Sequence, residues 1–437
     1  MGMTAEEAKQ ILNSIIDSIS QKPGNLVKNP GKDFTRDRKL PLKTMLRIMI
    51  GMQGGSLKRE LFDYDPSIDV TASAFVQQRD KILPGMFEYI FREHAARMPV
   101  GQMYRGYRLF AVDGSDITIA TNEDSDTYVL CSKDQGYNAF HLNSFYDILN
   151  KQFVDAVIHP KQKTGETKAA AVMAKRLPPG SKYILIGDRG YASLNLLETI
   201  HRLDNVDYLI RIRNEWLTNT RALPMAELDT DISFELRTTQ RNEDKALVKT
   251  GQVKWISGKS IKGKKKKFEQ WEFEACVPMN LRIVRFKITE AEYETIVTSL
   301  DRKQFPLNEI KRLYRMRWQI ETSFRELKYA IGLINIHTKK EPSALQEIYA
   351  RLIMYNYSQS IIVSAVVRQN DSGKWQYQVN VTFSMHLCRQ FFRYHRAEPP
   401  PDIQSKIERA VLPIRPDRSD PRKIIRKGFA WFIYRVA

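Results

Sequence analysis

The order of hydrophobic patterns between Tyr107 and Arg213 constrains this chain more than any other feature. Three strand-like stretches come first, YRLFAVDGSDITIA, HLNSFYDILN and FVDAVIHP, each closed by turn residues. The pattern then alternates: TKAAAVMAKRL has helical spacing, YILIGDRG is a short apolar strand, SLNLLETIHRL is helical again and VDYLIRIR is a strand. Three strands in a row followed by helix–strand alternation predict an α/β fold with a mixed sheet. At 437 residues the chain is long enough for roughly two to three domains and a sizeable buried core.

The flanks differ from this centre. Residues 1–100 read as helical, with Ile11, Ile15, Ile16 and Ile19 marking an entry helix before the Pro/Gly-bearing linker KPGNLVKNPGKD. The stretches LKTMLRIMI, SLKRELFDY and TASAFVQQRDKIL then form three short helices, which fit either a helix-turn-helix-like DNA module or a plain helical packing unit. Residues 101–214 hold the α/β pattern. Residues 215–300 turn strand-rich (ISFEL, ALVKT, QVKWI, FEQWEFEACV, LRIVRFKI) and predict a β-rich insertion. Its run GKSIKGKKKKF is expected on an exposed hairpin end, as a solvated loop or as a phosphate contact. The run nearly imitates a nucleotide phosphate loop, but Lys265 stands where Ser or Thr is required, so an ATP site is rejected. Residues 301–368 are strongly helical after Pro306, and residues 369–437 are mixed and end in a basic stretch from Arg415 to Lys427.

Charge narrows the partner. Lys and Arg number 69 against 50 for Asp and Glu, a surplus of +19, which points to a polyanion: nucleic acid or an acidic membrane face. The start MGMTAEEAKQ lacks the basic-then-apolar pattern of an export signal, and the densest apolar stretch, Ile361 to Val367, is far short of a membrane span. No membrane association is expected, and nucleic acid leads. Cys131, Cys276 and Cys388 are too far apart for a zinc or disulfide framework, which fits a reducing compartment.

The window YRMRWQIETSFRELK carries the most chemistry. At about 100° per residue, Tyr314, Arg317, Glu321 and Lys328 fall within roughly 60° of one another around a helix. A phenol, two cations and a carboxylate make a poor core stripe, although an intrahelical salt-bridge ladder would give the same pattern. Two more carboxylates bear on the choice. Asp113 and Asp188 each end an apolar strand, LFAVD and YILIGD, close to a glycine. Carboxylates at strand ends suit a hard divalent ion that keeps sites open for water and phosphate oxygens, and equally serve as turn caps. Asp116 falls on the other face of a regular strand and is secondary.

These residues resemble a family. Asp113, Asp188 and Glu321, with Y-x2-R-x3-E-x6-K, the motifs DGS and DRGY, and EIYARLIMYN downstream, are similar to the DDE transposases of bacterial insertion sequences that carry the YREK signature, the insertion-sequence-four family. The resemblance runs from about residue 105 to 360 and implies an RNase H-like catalytic core, split by a β-strand insertion and flanked by helical N-terminal and C-terminal regions. It implies that Asp113, Asp188 and Glu321 are catalytic and hold two Mg²⁺ ions, with Mn²⁺ as a substitute, for cleaving the element's ends and joining them to target DNA. Tyr314, Arg317, Lys328 and Trp318 are then expected to contact DNA, Trp318 by stacking on a flipped base together with one of Trp216, Trp255 or Trp271. For each of those three the core is the competing place, and for His337 a satisfied core position competes with a DNA contact. The partners expected are double-stranded DNA, as terminal inverted repeats and target, and a second copy in a homodimer on paired ends, in the bacterial cytoplasm. A stand-alone nuclease of the same fold, or a basic DNA-binding protein with merely salt-bridged carboxylates, are the rival expectations.

Overall fold

The computed structural model of the protein describes residues 3–36, 38–132, 135–161, 165–257, 270–290, 292–367, 369, 375–395 and 402–414. The lysine run GKSIKGKKKKF and the basic stretch from Arg415 lie outside them.

Five helices open the chain: α1 (Ala5–Gln21), α2 (Leu42–Gly51), α3 (Leu57–Tyr64), α4 (Ala72–Arg79) and α5 (Pro84–Arg97). A capping box starts α1, the Thr4 hydroxyl accepting from the Glu7 N–H while the Glu7 carboxylate accepts from the Thr4 N–H. Leu12, Ile15, Ile16 and Ile19 of α1 are buried, as their spacing predicts. The periodicity missed α5, whose aromatic and small residues carry only a weak stripe.

The α/β pattern then follows in the expected order: β1 (Tyr107–Ile119), β2 (Tyr128–Ser132), β3 (Gln135–Asp147), β4 (Gln152–Pro160), α6 (Glu166–Ala174), β5 (Lys182–Gly187), α7 (Leu194–His201) and β6 (Val206–Ile212). The three stretches read as consecutive strands are β1, β3 and β4, with the short β2 between the first two. The strand-rich stretch supplies α8 (Thr218–Ala222), β7 (Leu228–Arg237), α9 (Lys245–Lys249), β8 (Val253–Trp255), β9 (Cys276–Lys287) and β10 (Tyr293–Thr298). Two expectations fail here. ALVKT is one turn of helix, since five residues are too few to separate the two periods. FEQWEFEACV pairs only from Cys276 onward, with Trp271 sunk into the core.

Among the described residues ten strands make one mixed sheet in the order β2-β3-β1-β5-β6-β10-β9-β7-β8, with β4 on β3. Strands β1, β5 and β6 are parallel, β3 is antiparallel to β1, and β10 is antiparallel to β6, so β7 to β10 continue the sheet.

The helices that follow are α10 (Leu307–Met316), α11 (Trp318–Arg325), a π-helical turn (Glu326–Ala330) and α12 (Glu341–Ile362). The described part closes with β11 (Tyr377–Val379), α13 (Val381–Arg393), α14 (Ile403–Arg409) and β12 (Val411–Pro413). Alternation along the strands sorts two cores. Leu109, Ala111, Ile184, Ile186 and Leu209 pack with the N-terminal helices and α12 on one face, while Phe110, Val112, Tyr183, Leu185 and Ile210 pack with α6 and α7 on the other. Helix α12 is buried almost all round and touches α1, α2, α5 and α13, so N-terminal and C-terminal helices share one layer.

That layer encloses charge. Arg79 of α4 meets Glu347 of α12 at 2.8 Å, both fully buried, and Arg351 donates to the Gln53 carbonyl at 3.0 Å. Among the described residues no helix is long and apolar enough to cross a membrane.

Candidate active site

The parallel pairing of three strands stops level, but β1 runs on to Ile119, paired with β3 alone, so Asp113 lies mid-strand and does not end a strand as the sequence suggests. Val112 of β1 pairs with Gly187 of β5, and Gly187 with Ile210 of β6. The next residue on each is Asp113, Asp188 and Arg211. Strand alternation directs all three to the face of Ala111, Ile186 and Leu209, where α11 packs against β1 and carries Glu321 over it. The Asp188 Oδ1 accepts from the Gly190 N–H at 2.8 Å, closing a one-turn helix, and the Asp113 Oδ1 accepts from the Gly114 N–H at 2.8 Å.

Asp113 feels the charges of the other two carboxylates. Burial, reinforced by the charges of Asp188 and Glu321, pushes the Asp113 carboxyl up to about 6, against the opposing pull of the Gly114 N–H and of Arg317. Arg317 is the neighbouring cation. Its side chain is buried and its Nη2 donates to the Glu321 Oε1 at 2.8 Å.

The YREK stripe is not one ideal helix. Arg317 sits at the joint between α10 and α11, and Lys328 lies in the π-helical turn, whose wider winding shifts it from the place that 100° per residue assigns. Tyr314 is buried, with no hydrogen-bond partner for its hydroxyl. Lys328 is half-buried; burial lowers its pKa, and the nearby charge of Asp116 opposes this. Trp318 is 61% exposed, with the Arg317 guanidinium 5.1 Å from its ring centre.

The other aromatic candidates divide. Trp271 is buried and donates to the Glu274 carbonyl at 2.8 Å; Trp216 is half-buried and donates to the Ala192 carbonyl at 3.2 Å, just past the Asp188 turn. Trp255 is half-buried, its indole nitrogen unbonded. His337 is buried, its ring between the Glu347 carboxylate and the Gly55 carbonyl, which is the satisfied core position. Arg211, ion-paired to Glu294 at 3.1 Å, was missed in the sequence although RIR ends a strand of the same parallel set as Asp113 and Asp188. Asp116 lies on the far face as alternation requires, bound by His141 and Lys161, and these bonds outweigh burial and hold it down to about 2.

Comparison with known proteins gives this geometry a context. The family model described as "Transposase DDE domain" matches residues 104–357, more than half of the chain and the segment that holds all three carboxylates. The chain belongs to the DDE transposase family. Transposase InsG for insertion sequence element IS4 of Escherichia coli is 25% identical over 139 residues, which cover 30% of this chain and 31% of that relative. Among solved structures, the piggyBac transposase synaptic complex with hairpin DNA covers 95% of this chain and 84% of its own chain, at 13% identity and a TM-score of 0.42.

Proposed function

We propose that the protein is a metal-dependent DNA transposase that cleaves phosphodiester bonds at the ends of its own insertion sequence and joins them to target DNA, cut and paste, through Asp113, Asp188 and Glu321. The observation that carries this is the placing of Asp113 on β1 and Asp188 just past β5 at the level where the two strands stop pairing, with Glu321 on the covering helix and both other charges acting on Asp113, inside the segment matched by the transposase family. The order β3-β1-β5-β6, with β3 antiparallel to three parallel strands, supports an RNase H-like core with β7 to β10 as its insertion.

The donor set fits Mg²⁺. Among the described residues no three His, Cys, Asp or Glu side chains gather closely enough to share one ion. Mg²⁺ is ordinarily held by one or two carboxylates and completes its shell with waters and phosphate oxygens, and the half-buried Asp113, crowded by two like charges, is a donor that a cation would relieve. Two bound ions would activate water or a 3′-hydroxyl and stabilise the leaving 3′ oxygen.

The chain's own groups do the rest. Arg317 fixes the Glu321 carboxylate and presents positive charge beside the scissile phosphate. Lys328 contacts backbone phosphates and the open face of Trp318 stacks on a flipped base, whereas Tyr314, buried with its ring beside the Arg317 guanidinium, backs that cation instead of reaching DNA as the sequence suggests. Action as a homodimer on paired ends, with the N-terminal helices reading the repeats, belongs to the same reading and comes from the family resemblance.

The test is cleavage of DNA carrying the gene's own flanking ends, with Mg²⁺, by wild type beside Asp188→Ala, with binding measured on the same samples. Cutting at the repeat boundary by wild type alone, with both proteins bound, is expected. Binding by both and cutting by neither would leave a DNA-binding protein.

A further inference from the structure

Gly114, directly after Asp113 in β1, and Gly190, two residues after Asp188, are kept bare by one network on the far side of β1. Asp116 of β1 and His141 of β3 are cross-strand partners, with the His141 Nδ1 2.7 Å from the Asp116 Oδ1. The other ring nitrogen, Nε2, lies 3.1 Å from the Oε1 of Glu166, the first residue of α6. The ring lies so close over Gly114 that a Cβ there would come within 2.3 Å of the His141 Nε2. Glu166 in turn leans over Gly190: a Cβ at that position would be 3.2 Å from the Glu166 Oε2 and 3.0 Å from the Asp188 Oδ1. The imidazole therefore touches down beside Asp113, and the carboxylate it binds touches down beside Asp188.

The remaining neighbours hold this arrangement in place. Lys161 takes the second oxygen of Asp116 and reaches the Tyr137 hydroxyl at 2.6 Å. His159 of β4 stacks parallel to His141, ring centres 5.7 Å apart, and its Nε2 is 2.8 Å from the Asn143 Nδ2. The Tyr191 hydroxyl is buried beneath, within the fields of Glu166, Asp113 and Asp188, with no hydrogen-bond partner. None of these groups lies on the face that Glu321 covers.

We propose that His141 and Glu166 are positioning residues of the transposase, a clamp that sets the separation of the Asp113 strand and the Asp188 turn from behind the sheet. The proposal rests on the reading of Asp113 and Asp188 as the reacting pair. It assigns the glycines of DGS and DRGY a job: they seat the clamp. Outer-shell partners of this kind are worth about 10- to 100-fold in activity or metal affinity.

The test uses the full chain with His141→Asn, Glu166→Gln and the double variant. Hydrogen exchange of the Gly190 and Tyr191 amides is read on the free protein, without DNA or metal. Cleavage of the flanking-end DNA is read against Mg²⁺ concentration, with DNA affinity on the same samples. Each single variant is expected to speed exchange at the turn while β5 stays protected, and to lower cleavage roughly 10- to 100-fold with DNA affinity within about twofold. The double variant is expected to be no worse than the poorer single one, because both break the same clamp. Unchanged exchange at the turn, wild-type cleavage, or losses that multiply in the double variant would overturn the proposal. Where either variant fails to fold, Glu166→Asp, which keeps the charge and shortens its reach to the His141 ring, is expected to speed exchange at the Gly190 and Tyr191 amides, and unchanged exchange there overturns the proposal. If the wild type cuts nothing, the functional reading fails by itself, and the exchange measurement still decides the clamp.

Discussion

Asp113 and Asp188 each stand one residue beyond Val112–Gly187, the last pair at which β1 and β5 run together; β1 continues past Asp113, and Asp188 opens the turn after β5. Strands in a sheet lie about 4.8 Å apart, so this register starts the two carboxylates close together, and the turn that Asp188 caps sets the second one. The helix that covers β1 adds the third, Glu321, and the like charges are concentrated where burial weakens their solvation.

Such crowding costs stability. An Asp whose folded pKa is raised is destabilising once ionised, above its ordinary range near 4, so Asp113→Asn is expected to raise the thermal midpoint by roughly 2 to 5 °C at pH 7.5 in chelator while abolishing cleavage. A lowered midpoint would mean that the carboxylate is satisfied by bonds other than those seen.

Trp318 buries little of its ring, so Trp318→Ala is expected to leave the thermal midpoint within about 1 °C. Base–aromatic stacking is worth about 1–3 kcal/mol, which predicts a loss of roughly 5- to 100-fold in affinity for end DNA with an unpaired base at the cleavage point. Affinity for fully paired DNA should hardly change. Competition binding with the two DNAs checks both statements.

The His141 ring should mark itself in the pH dependence of stability. Burial alone would lower its pKa, but Asp116 and Glu166 outweigh this and hold it up at about 9. Its contribution is therefore complete below the ordinary value near 6.5 and fades as pH rises through about 9. The gap in thermal midpoint between wild type and His141→Asn should be widest near pH 6 and narrow towards pH 10. His159, Lys161, Asp116 and Glu166 face the ring and are common to both proteins. A gap independent of pH would show that the charge is not what matters.

Glu347 is fully buried between Arg79, Arg351 and His337, and those partners outweigh burial and hold its carboxyl down to about 2. Glu347→Gln strands two guanidinium groups in the core and is expected to cost about 3–5 kcal/mol, seen as a lower urea midpoint or as insoluble protein. Near-wild-type unfolding would show that water reaches the network.

Much of this was legible in the sequence, for a physical reason. Strands β1, β3, β4, β5 and β6 and helices α6 and α7 announce themselves because local period and burial agree. Asp113 and Asp188 stood out because a carboxylate at the end of an apolar run needs an explanation, although that run ends within β1 at Asp113, because β1 goes on paired with β3. Strand order was not legible. The pairing of β10 with β6 joins residues more than 80 positions apart, and nothing local in YETIVT names its partner. The break at Arg317 was hidden too, since no Pro or Gly marks it. The π-helical turn depends on a distant contact, the Glu326 carboxylate accepting from the Tyr355 hydroxyl at 3.0 Å. Nothing in the sequence marks Arg79, Arg351 and Arg389 as buried; the packing of the N-terminal helices, α12 and α13 encloses them.

One measurement bears most directly on the claim that three carboxylates act together with a divalent ion. DNA carrying the gene's flanking ends is incubated with wild type, Asp113→Asn, Asp188→Asn or Glu321→Gln, in Mg²⁺ or in chelator, and strand cleavage and binding are scored on each sample. The account predicts strand cleavage at the repeat boundary by wild type in Mg²⁺ alone, none in chelator or by any single variant, and DNA binding retained by all four proteins. Cleavage by any of the three variants at the wild-type rate, or by wild type in chelator, would contradict it.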